Sequence, residues 1–236
     1  MSISDLSEGV HHTLSSIARR VAGFGTTVFV EINDLARQCN AVNLGQGAPD
    51  FDGPLEVLAA AVKAINGELN QYAPGMGMQV LREAVAHAER LYNQRVDWQT
   101  EVLITSGATE AVFAAILGLT DPGDEVIVFE PVYDSYVPNM VMAGVMPRYV
   151  PLRGDQWSFD PDELTRAFNA RTRAIIVNTP HNPTGKVYSR QELSLIADLC
   201  RKHQVVAITD EVYEHILYDG MAHIRLATLP GRQNAQ

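Results

Sequence analysis

The sequence predicts an α/β fold with a mainly parallel sheet and helices on both faces. From about residue 100 onward, short apolar runs rich in branched residues alternate with helical patterns, and turn residues separate them. The run Val205–Thr209 has the length and composition of a strand buried on both faces of such a sheet. Repeated strand–helix–strand units indicate a parallel sheet, because each crossover helix covers one face.

The elements upstream of the first strand are fewer. A loop rich in Gly and Pro covers residues 43–54, and we expect a helix from about Leu55 to Ile65 after it. We predict the first strand at 101–105 and a helix at 109–119. The turn Asp-Pro-Gly-Asp at 121–124 then leads into a strand at 125–129.

The second half of the chain repeats this alternation. Strands are predicted at 148–151, 174–178 and 205–209, with helices at 160–169 and 189–203 between them. Asp160 is a suitable cap for the first of these helices, with Pro161 at its first position. Ser189 with Glu192 three residues later forms a capping-box pattern at the start of the second helix.

Composition limits the classes of function. The chain has 236 residues, of which 46% are hydrophobic and 19% charged, as in soluble globular proteins. A formal charge of -10 argues against nucleic acid as a partner, since phosphate backbones are bound by clustered Lys and Arg. No apolar run approaches the ~20 residues of a membrane-spanning helix, so we expect no membrane partner.

Cysteine and histidine usage predicts neither a disulfide framework nor a metal site. Cys39 and Cys200 lie far apart without a CxxC spacing, and the seven histidines show no HExxH pattern. The first twenty residues contain acids and no apolar core of signal-peptide length. We therefore expect a cytoplasmic protein.

Polar groups follow four of the predicted strands, at the edge where ligands of parallel sheets bind. Ser106 and Gly107 open the helix after the first strand, where free backbone N–H groups favour a phosphate. Tyr133, Asn182 and Asp210 follow three later strands. Each also has a structural interpretation: small residues cap helices, a boundary tyrosine covers a core, and acidic residues commonly end strands.

The pair Asp210 and Tyr213 adds a specific possibility. A carboxylate and a phenol three residues apart can hold the protonated ring nitrogen and the ring oxygen of one flat cofactor. Pyridoxal 5'-phosphate needs this arrangement. The rigid loop NTPHNPTGK at 178–186 can present the Asn182 amide to the same ligand.

Six motifs together resemble the class I/II aminotransferases, a family of pyridoxal-phosphate enzymes similar to aspartate aminotransferase. The similarity runs from about residue 27 to about residue 231 and is strongest to the branch of kynurenine, glutamine and methionine aminotransferases and cysteine-S-conjugate beta-lyases. The motifs are NLGQGAPDF at 43–51, NQYAPGMG at 70–77, SGATEA at 106–111, PGDEVIVFEPVYDSY at 122–136, NTPHNPTGK at 178–186 and TDEVYEHILYDG at 209–220.

The resemblance implies roles around the cofactor ring. Asp210 is expected to pair with the pyridinium nitrogen, and Tyr133 to stack on the ring face. Tyr213 and Asn182 are expected to hydrogen-bond the phenolic oxygen, with Asn182 also close to the substrate carboxylate. His181 and Glu211 match motif positions, and we interpret both as supporting or loop residues.

The resemblance also implies roles at the phosphate and the substrate. The amides of Gly107, Ala108 and Thr109 are expected to hold the phosphate. Tyr72 is expected to reach the phosphate of the neighbouring subunit, which makes the enzyme a homodimer. Gly47 is expected to line the substrate side.

The implied architecture is the pyridoxal-phosphate-dependent transferase fold type I. Residues 1–47 then form an N-terminal arm and part of a small domain, and residues 48–236 form the large cofactor-binding domain, incomplete at the C-terminus. The family's Schiff-base lysine follows the next strand, in a segment similar to SSAGKTFS. The lysines here, Lys63, Lys186 and Lys202, match other positions, so we expect no catalytic residue, an absent C-terminal half and no activity of the chain alone.

The expected activity of the enzyme is transfer of an amino group from an amino acid similar to kynurenine, methionine or glutamine to a 2-oxo acid. A cysteine-S-conjugate beta-lyase uses the same cofactor groups and remains an alternative, as does an inactive cofactor-binding remnant. The sequence does not match the motifs of nucleotide-binding proteins. Asp50 replaces the last glycine of a dinucleotide-binding fingerprint, and Val187 occupies the Ser/Thr position of a phosphate-binding loop.

Overall fold

The computed structural model describes residues 18–47, 49 and 51–229. Asp50 lies outside the described residues, as does the end of the family resemblance near residue 231. The chain divides into two compact units, Met1–Gly75 and Met76–Gln236. No helix of the described residues is long and apolar enough to cross a membrane.

The described residues of the first unit form two helices. Helix α1 (Val28–Cys39) begins at Thr27, whose hydroxyl accepts a hydrogen bond from the Val30 amide, and ends at Asn40 in the left-handed conformation. Helix α2 (Leu55–Asn66) confirms the helix predicted at 55–65, and its apolar side chains are exposed.

The second unit is built on a four-stranded parallel sheet. Its strands lie in the order β2-β1-β3-β4, with every neighbouring pair parallel, which confirms the predicted α/β class. Short 3-10 helices cover Glu89–Tyr92 and Leu226–Thr228. The elements in chain order are α3 (Gln79–Ala88), α4 (Gly107–Leu119), β1 (Glu125–Glu130), α5 (Tyr136–Ala143), β2 (Met146–Pro151), α6 (Pro161–Ala167), β3 (Thr172–Asn178), α7 (Arg190–His203) and β4 (Val206–Asp210).

Each face of the sheet carries its own hydrophobic core. Successive side chains of a strand point to opposite faces, so Val126 and Val128 of β1 pack with α4 and α5 on one face. Ile127 and Phe129 pack on the other face with α6 and α7. Both central strands are buried on both sides, which explains their continuous apolar runs.

The predicted helix caps are present. The Asp160 carboxylate accepts hydrogen bonds from the first-turn amides of α6, and Pro161 is the first residue of that helix. Ser189 and Glu192 form the complete capping box at the start of α7. These contacts join residues two or three positions apart, so the local sequence is sufficient to specify them.

Two predictions about the sheet are wrong. Residues 101–105 are not a strand, although the Ile104 amide donates to the Met76 carbonyl at 3.1 Å. Strand β4 is not buried on both faces: it is an edge strand of the described sheet, and Val206 is 45% exposed. Both have one cause, since a segment becomes a central strand only when strands pair along both its edges.

Candidate functional site

A cavity lies at the carboxyl ends of β3 and β4, beside the N-terminus of α4, as expected for a ligand site of a parallel sheet. Its volume is about 80 Å³ and it is open on one side, so a flat ligand would lie partly outside it. Six of the residues predicted to hold a cofactor line this cavity, namely Ala108, Thr109, Tyr133, Asn182, Asp210 and Tyr213.

Asp210 is the buried carboxylate of the cavity. It ends β4 and is 8% exposed. Its Oδ2 accepts a hydrogen bond of 2.5 Å from the Tyr136 hydroxyl, and its Oδ1 accepts a longer one of 3.3 Å from the Val212 amide. Its carbonyl oxygen accepts from the Thr179 amide and from the Asn178 side chain, each at 3.0 Å. The carboxylate is therefore fixed from two sides and retains acceptor capacity on Oδ1.

Asn182 and Tyr213 form a second polar pair. The Asn182 Nδ2 donates to the Tyr213 hydroxyl oxygen at 3.2 Å, which brings the ends of two different strands together. The Asn182 backbone amide donates to Asn178 Oδ1 at 2.6 Å. The Asn178 side chain also donates to the Asp210 carbonyl, so this one buried side chain connects Asn182 to Asp210.

The loop that carries Asn182 is closed by its own hydrogen bonds. The His181 amide donates to the Lys186 carbonyl at 2.9 Å, and the Gly185 amide donates to the His181 carbonyl at 2.7 Å. Gly185 has a φ of +72°, a left-handed value that glycine adopts without a steric penalty. The loop therefore holds the Asn182 side chain in a fixed direction.

The N-terminus of α4 forms part of the cavity wall. Gly107 begins the helix with a φ of +76°, and Ala108 and Thr109 follow in the exposed first turn. First-turn amides have no acceptor within their own helix, and the helix dipole favours a negative group beside them. Gly107 directly precedes the cavity-lining residues, and its amide donates to the Thr105 carbonyl at 2.9 Å. Its role at a phosphate stays a prediction.

Tyr133 provides an aromatic ring at the cavity wall. It is half-buried and packs edge-on against Tyr136, with ring centroids 5.5 Å apart and planes at 77°. Burial raises the pKa of the Tyr133 phenol, and the Asp134 carboxylate raises it further. Tyr133 is therefore a neutral ring at neutral pH, suited to contact with a flat ligand.

Tyr136, Asn178 and Ser135 were not predicted as site residues, yet all three line the cavity. Tyr136 is the first residue of α5 and Tyr133 precedes that helix, so helical spacing gave no signal for Tyr136. The partner of its hydroxyl is Asp210, 74 positions away in the chain. Spacing alone does not indicate such a contact.

Two predicted residues belong to the other compact unit. Tyr72 is fully exposed, and Gly47 is exposed with no heavy atom near the position of a Cβ. Their roles at a partner's phosphate and at the substrate remain predictions.

Lysines of the second unit lie away from the cavity. The Lys186 Nζ forms an ion pair of 2.7 Å with Glu192, and its ammonium lies 4.9 Å from the centre of the Tyr188 ring. Lys202 is in the last turn of α7. Neither residue lines the cavity, so the part of this unit that the structure describes places no lysine in the cavity wall.

Glu211 belongs to a separate charged cluster around Arg225. The guanidinium contacts Glu211 at 3.1 Å, Glu214 at 2.5 Å and also Glu89. Glu211, Glu214 and His223 are close enough together to hold a metal ion, but the Arg225 guanidinium already supplies positive charge to both glutamates. We therefore interpret the cluster as an ion-pair network.

The residues of the cavity fit a phosphorylated pyridine. The open start of α4 suits its phosphate, the half-buried ring of Tyr133 suits its face, and the buried Asp210 carboxylate suits a protonated ring nitrogen. Asn182 and Tyr213 supply donors for a ring oxygen.

Comparison with known proteins gives consistent results. The family model "Aminotransferase class I and II" matches residues 40–235. The chain is 51% identical over 216 residues to a probable N-succinyldiaminopimelate aminotransferase of Mycobacterium tuberculosis, covering 90% of this chain and 54% of that protein. It is 45% identical over 226 residues to mouse kynurenine–oxoglutarate transaminase 3, covering 91% of this chain and 50% of that protein.

A solved structure from Escherichia coli, described as having a methionine aminotransferase function, superposes with a TM-score of 0.87 at 38% identity. The match covers 92% of this chain and 57% of that one. The chain thus spans about half the length of the curated relatives it matches.

Proposed function

Because the chain belongs to the class I and II aminotransferases, a family of pyridoxal-phosphate enzymes, we propose that its sheet unit binds pyridoxal 5'-phosphate for transfer of an amino group from an amino acid to a 2-oxo acid. The observation that carries this proposal is the cavity that joins buried Asp210 to Asn182, Tyr213 and the open start of α4.

Each residue contributes a distinct interaction to binding. The Asp210 carboxylate would pair with the protonated ring nitrogen, and Asn182 and Tyr213 would orient the ring through its oxygen. The first-turn amides of Ala108 and Thr109 would hold the phosphate, while Tyr133 packs on the ring face. Bound pyridoxal phosphate supplies an electron sink for the electron pair released at the amino acid's α-carbon.

The substrates follow from the relatives by similarity. N-succinyldiaminopimelate, kynurenine and methionine are named among the relatives, and these donors differ in their side chains. We propose an amino acid of this set, or glutamine, as donor and 2-oxoglutarate as acceptor. We further propose a cytoplasmic homodimer in which exposed Tyr72 reaches the neighbouring subunit's phosphate site and Gly47 lines the substrate side.

A cofactor-binding chain without turnover is a second candidate. It is favoured by the position of Lys186, whose ammonium is paired with Glu192, and by the absence of Lys186 and Lys202 from the described cavity lining. On this second candidate, the 236-residue chain binds pyridoxal phosphate and releases no keto product from any of these donors. Turnover, or beta-elimination from a cysteine S-conjugate, would contradict this second candidate.

The test is equilibrium dialysis of pyridoxal phosphate against the purified chain. Asp210→Asn removes the charge facing the ring nitrogen, and we expect binding weaker by roughly 10- to 150-fold, which corresponds to the ~1.5–3 kcal/mol of a charged hydrogen bond. Asp124→Asn is the matched control: Asp124 directly precedes β1, at the opposite end of the sheet, and pairs with Arg173.

The two variants separate a specific site from general binding. Loss in Asp210→Asn with unchanged binding in Asp124→Asn supports the proposed site. Equal affinity in all three proteins, or no binding by the unaltered chain, would contradict it.

A further inference from the structure

We propose that Tyr136 is a positioning residue for Asp210, holding the carboxylate in the direction that meets the ring nitrogen of a bound pyridine. The inference rests on the function proposed above. It assigns to Tyr136 the role of orienting Asp210, in addition to its place in helix α5. It adds a residue to the site without placing that residue in contact with the cofactor.

The contact is short and shielded from water. Tyr136 is the first residue of α5 and is 4% exposed, and its hydroxyl donates to Asp210 Oδ2 at 2.5 Å. Its ring packs in the hydrophobic core on the face of the sheet that also holds Val128 and Met140. Packing therefore fixes the position of the Tyr136 phenol, and the hydrogen bond from its hydroxyl fixes the Asp210 carboxylate.

The two carboxylate oxygens have different tasks. Oδ2 is occupied by the Tyr136 hydroxyl, whereas among the described residues Oδ1 has only the 3.3 Å contact with the Val212 amide. A carboxylate can accept more than one hydrogen bond on each oxygen, so Oδ1 can accept from a ligand N–H. With Oδ2 held, rotation of the carboxylate away from that ligand costs a charged hydrogen bond.

The donor role of Tyr136 does not depend on pH in the working range. Burial, followed by the charge of Asp210, raises the pKa of its phenol far above the ordinary value. The other titratable groups acting on this pair are the phenols of Tyr133 and Tyr213, with Asp134 beside Tyr133. The Tyr136 phenol therefore stays protonated and can donate its hydrogen bond to the Asp210 carboxylate.

Tyr188 offers a matched control for a purely structural tyrosine. It is 1% exposed and packs against Phe129, and in the described structure its hydroxyl has no hydrogen-bond partner. Tyr188 lies on the opposite face of the sheet from Tyr136. A Tyr→Phe change there removes a buried hydroxyl without touching Asp210.

The experiment compares two ligands on three proteins. Pyridoxal phosphate and its analogue with C–H in place of the ring nitrogen are dialysed against the unaltered chain, Tyr136→Phe and Tyr188→Phe. We expect Tyr136→Phe to bind pyridoxal phosphate roughly 10-fold more weakly, as for loss of other groups that orient a ligand-binding residue. Its affinity for the nitrogen-free analogue should be unchanged, and Tyr188→Phe should match the unaltered chain for both ligands.

The analogue also reports whether Tyr136→Phe is folded, because a misfolded variant loses both ligands. Equal weakening for both ligands means a merely structural role and overturns the inference, as does unchanged binding of both. The absorbance of bound pyridoxal phosphate gives a second readout, since Tyr136→Phe should lose the pyridinium form at a lower pH than the unaltered chain.

Asp210→Asn separates this inference from the proposed function. If it weakens pyridoxal phosphate binding while Tyr136→Phe does not, the inference fails and the proposed function stands. If the unaltered chain does not bind pyridoxal phosphate, both are wrong.

Discussion

Individual side chains around the cavity are held in uncharged forms by burial. The phenols of Tyr133 and Tyr136 have raised pKa values, chiefly because burial penalises the phenolate. Burial lowers the pKa of the His181 imidazole to about 4, and the Lys186 ammonium adds to this shift. His181 is therefore neutral at pH 7, and its Nδ1 lies 2.8 Å from Thr184 Oγ1 inside the loop that carries Asn182.

His181 should make stability depend on pH. Its pKa falls from 6.5 to about 4 on folding, so the unfolded chain binds a proton that the folded chain rejects. This contribution is fully present above pH 6.5 and is lost as the pH falls toward 4. Between pH 7 and pH 5 it amounts to about 2 kcal/mol of unfolding free energy.

Urea unfolding at both pH values tests this expectation. His181→Asn should lose less stability than the unaltered chain on going from pH 7 to pH 5, whatever its stability at pH 7. The control is His215→Asn, since the His215 side chain is 78% exposed. The same pH dependence in all three proteins would show that His181 is not the group responsible.

At the level of elements, the helices that cover the sheet are specified by their own ends. Helix α7 has a complete capping box, and Glu192 of that box also pairs with Lys186 from the preceding loop. The start of α7 is thus connected to the loop that presents Asn182.

Ser189→Ala should destabilise the second unit by about 1 kcal/mol, because the Glu192 amide in the first turn of α7 loses its side-chain acceptor. Ser194→Ala in the same helix is the control, since the Ser194 hydroxyl bonds only the Arg190 carbonyl one turn earlier among the contacts described. Chemical denaturation measures both. Alanine has the higher helix propensity, so Ser194→Ala should not destabilise α7. A cost for Ser194→Ala as large as for Ser189→Ala would contradict a capping origin.

At the level of the second unit as a whole, a charged network joins segments that are distant in the chain. Arg225 contacts Glu89 beside α3 and Glu211 and Glu214 after β4, and its guanidinium lies 3.9 Å from the centre of the Tyr92 ring. Burial opposes ionisation of Glu214, but the hydrogen bonds of Arg225 and Tyr92 outweigh it and lower the Glu214 pKa. One guanidinium therefore stabilises several partly buried carboxylates.

Arg225→Met should cost about 3 kcal/mol at neutral pH, because it leaves carboxylates in a partly buried site without their cation. The lowered Glu214 pKa contributes stability above its unfolded value of 4.5 that is lost as the pH falls further. The difference between Arg225→Met and the unaltered chain should therefore shrink below pH 4.5.

Unfolding measured at pH 7 and pH 4 tests this prediction. Arg225→Lys should recover part of the stability, since it keeps the charge without the planar fork of donors. Arg190→Met on the exposed start of α7 is the control for loss of an arginine. A constant deficit at both pH values would contradict an electrostatic origin.

The sequence by itself determined the α/β class, the helix caps at Asp160 and Ser189, and the polar residues at the strand ends. These features depend on contacts within a few residues or on the alternation of apolar side chains, and both are readable from local order. It also identified the family through its motifs, and six of the eight predicted cofactor-binding residues line one cavity.

The tertiary structure alone decided which segments pair and which side chains meet. Residues 101–105 have the pattern of a strand, but a strand forms only when a neighbouring strand pairs with it. Strand β4 is an edge strand because, within the part of the chain that the structure describes, it pairs with β3 alone. The Tyr136–Asp210 hydrogen bond joins residues 74 positions apart. The Arg225 network includes Glu89, which lies 136 positions from Arg225. Such contacts arise from packing of the whole unit, because local propensity contains no information about distant partners.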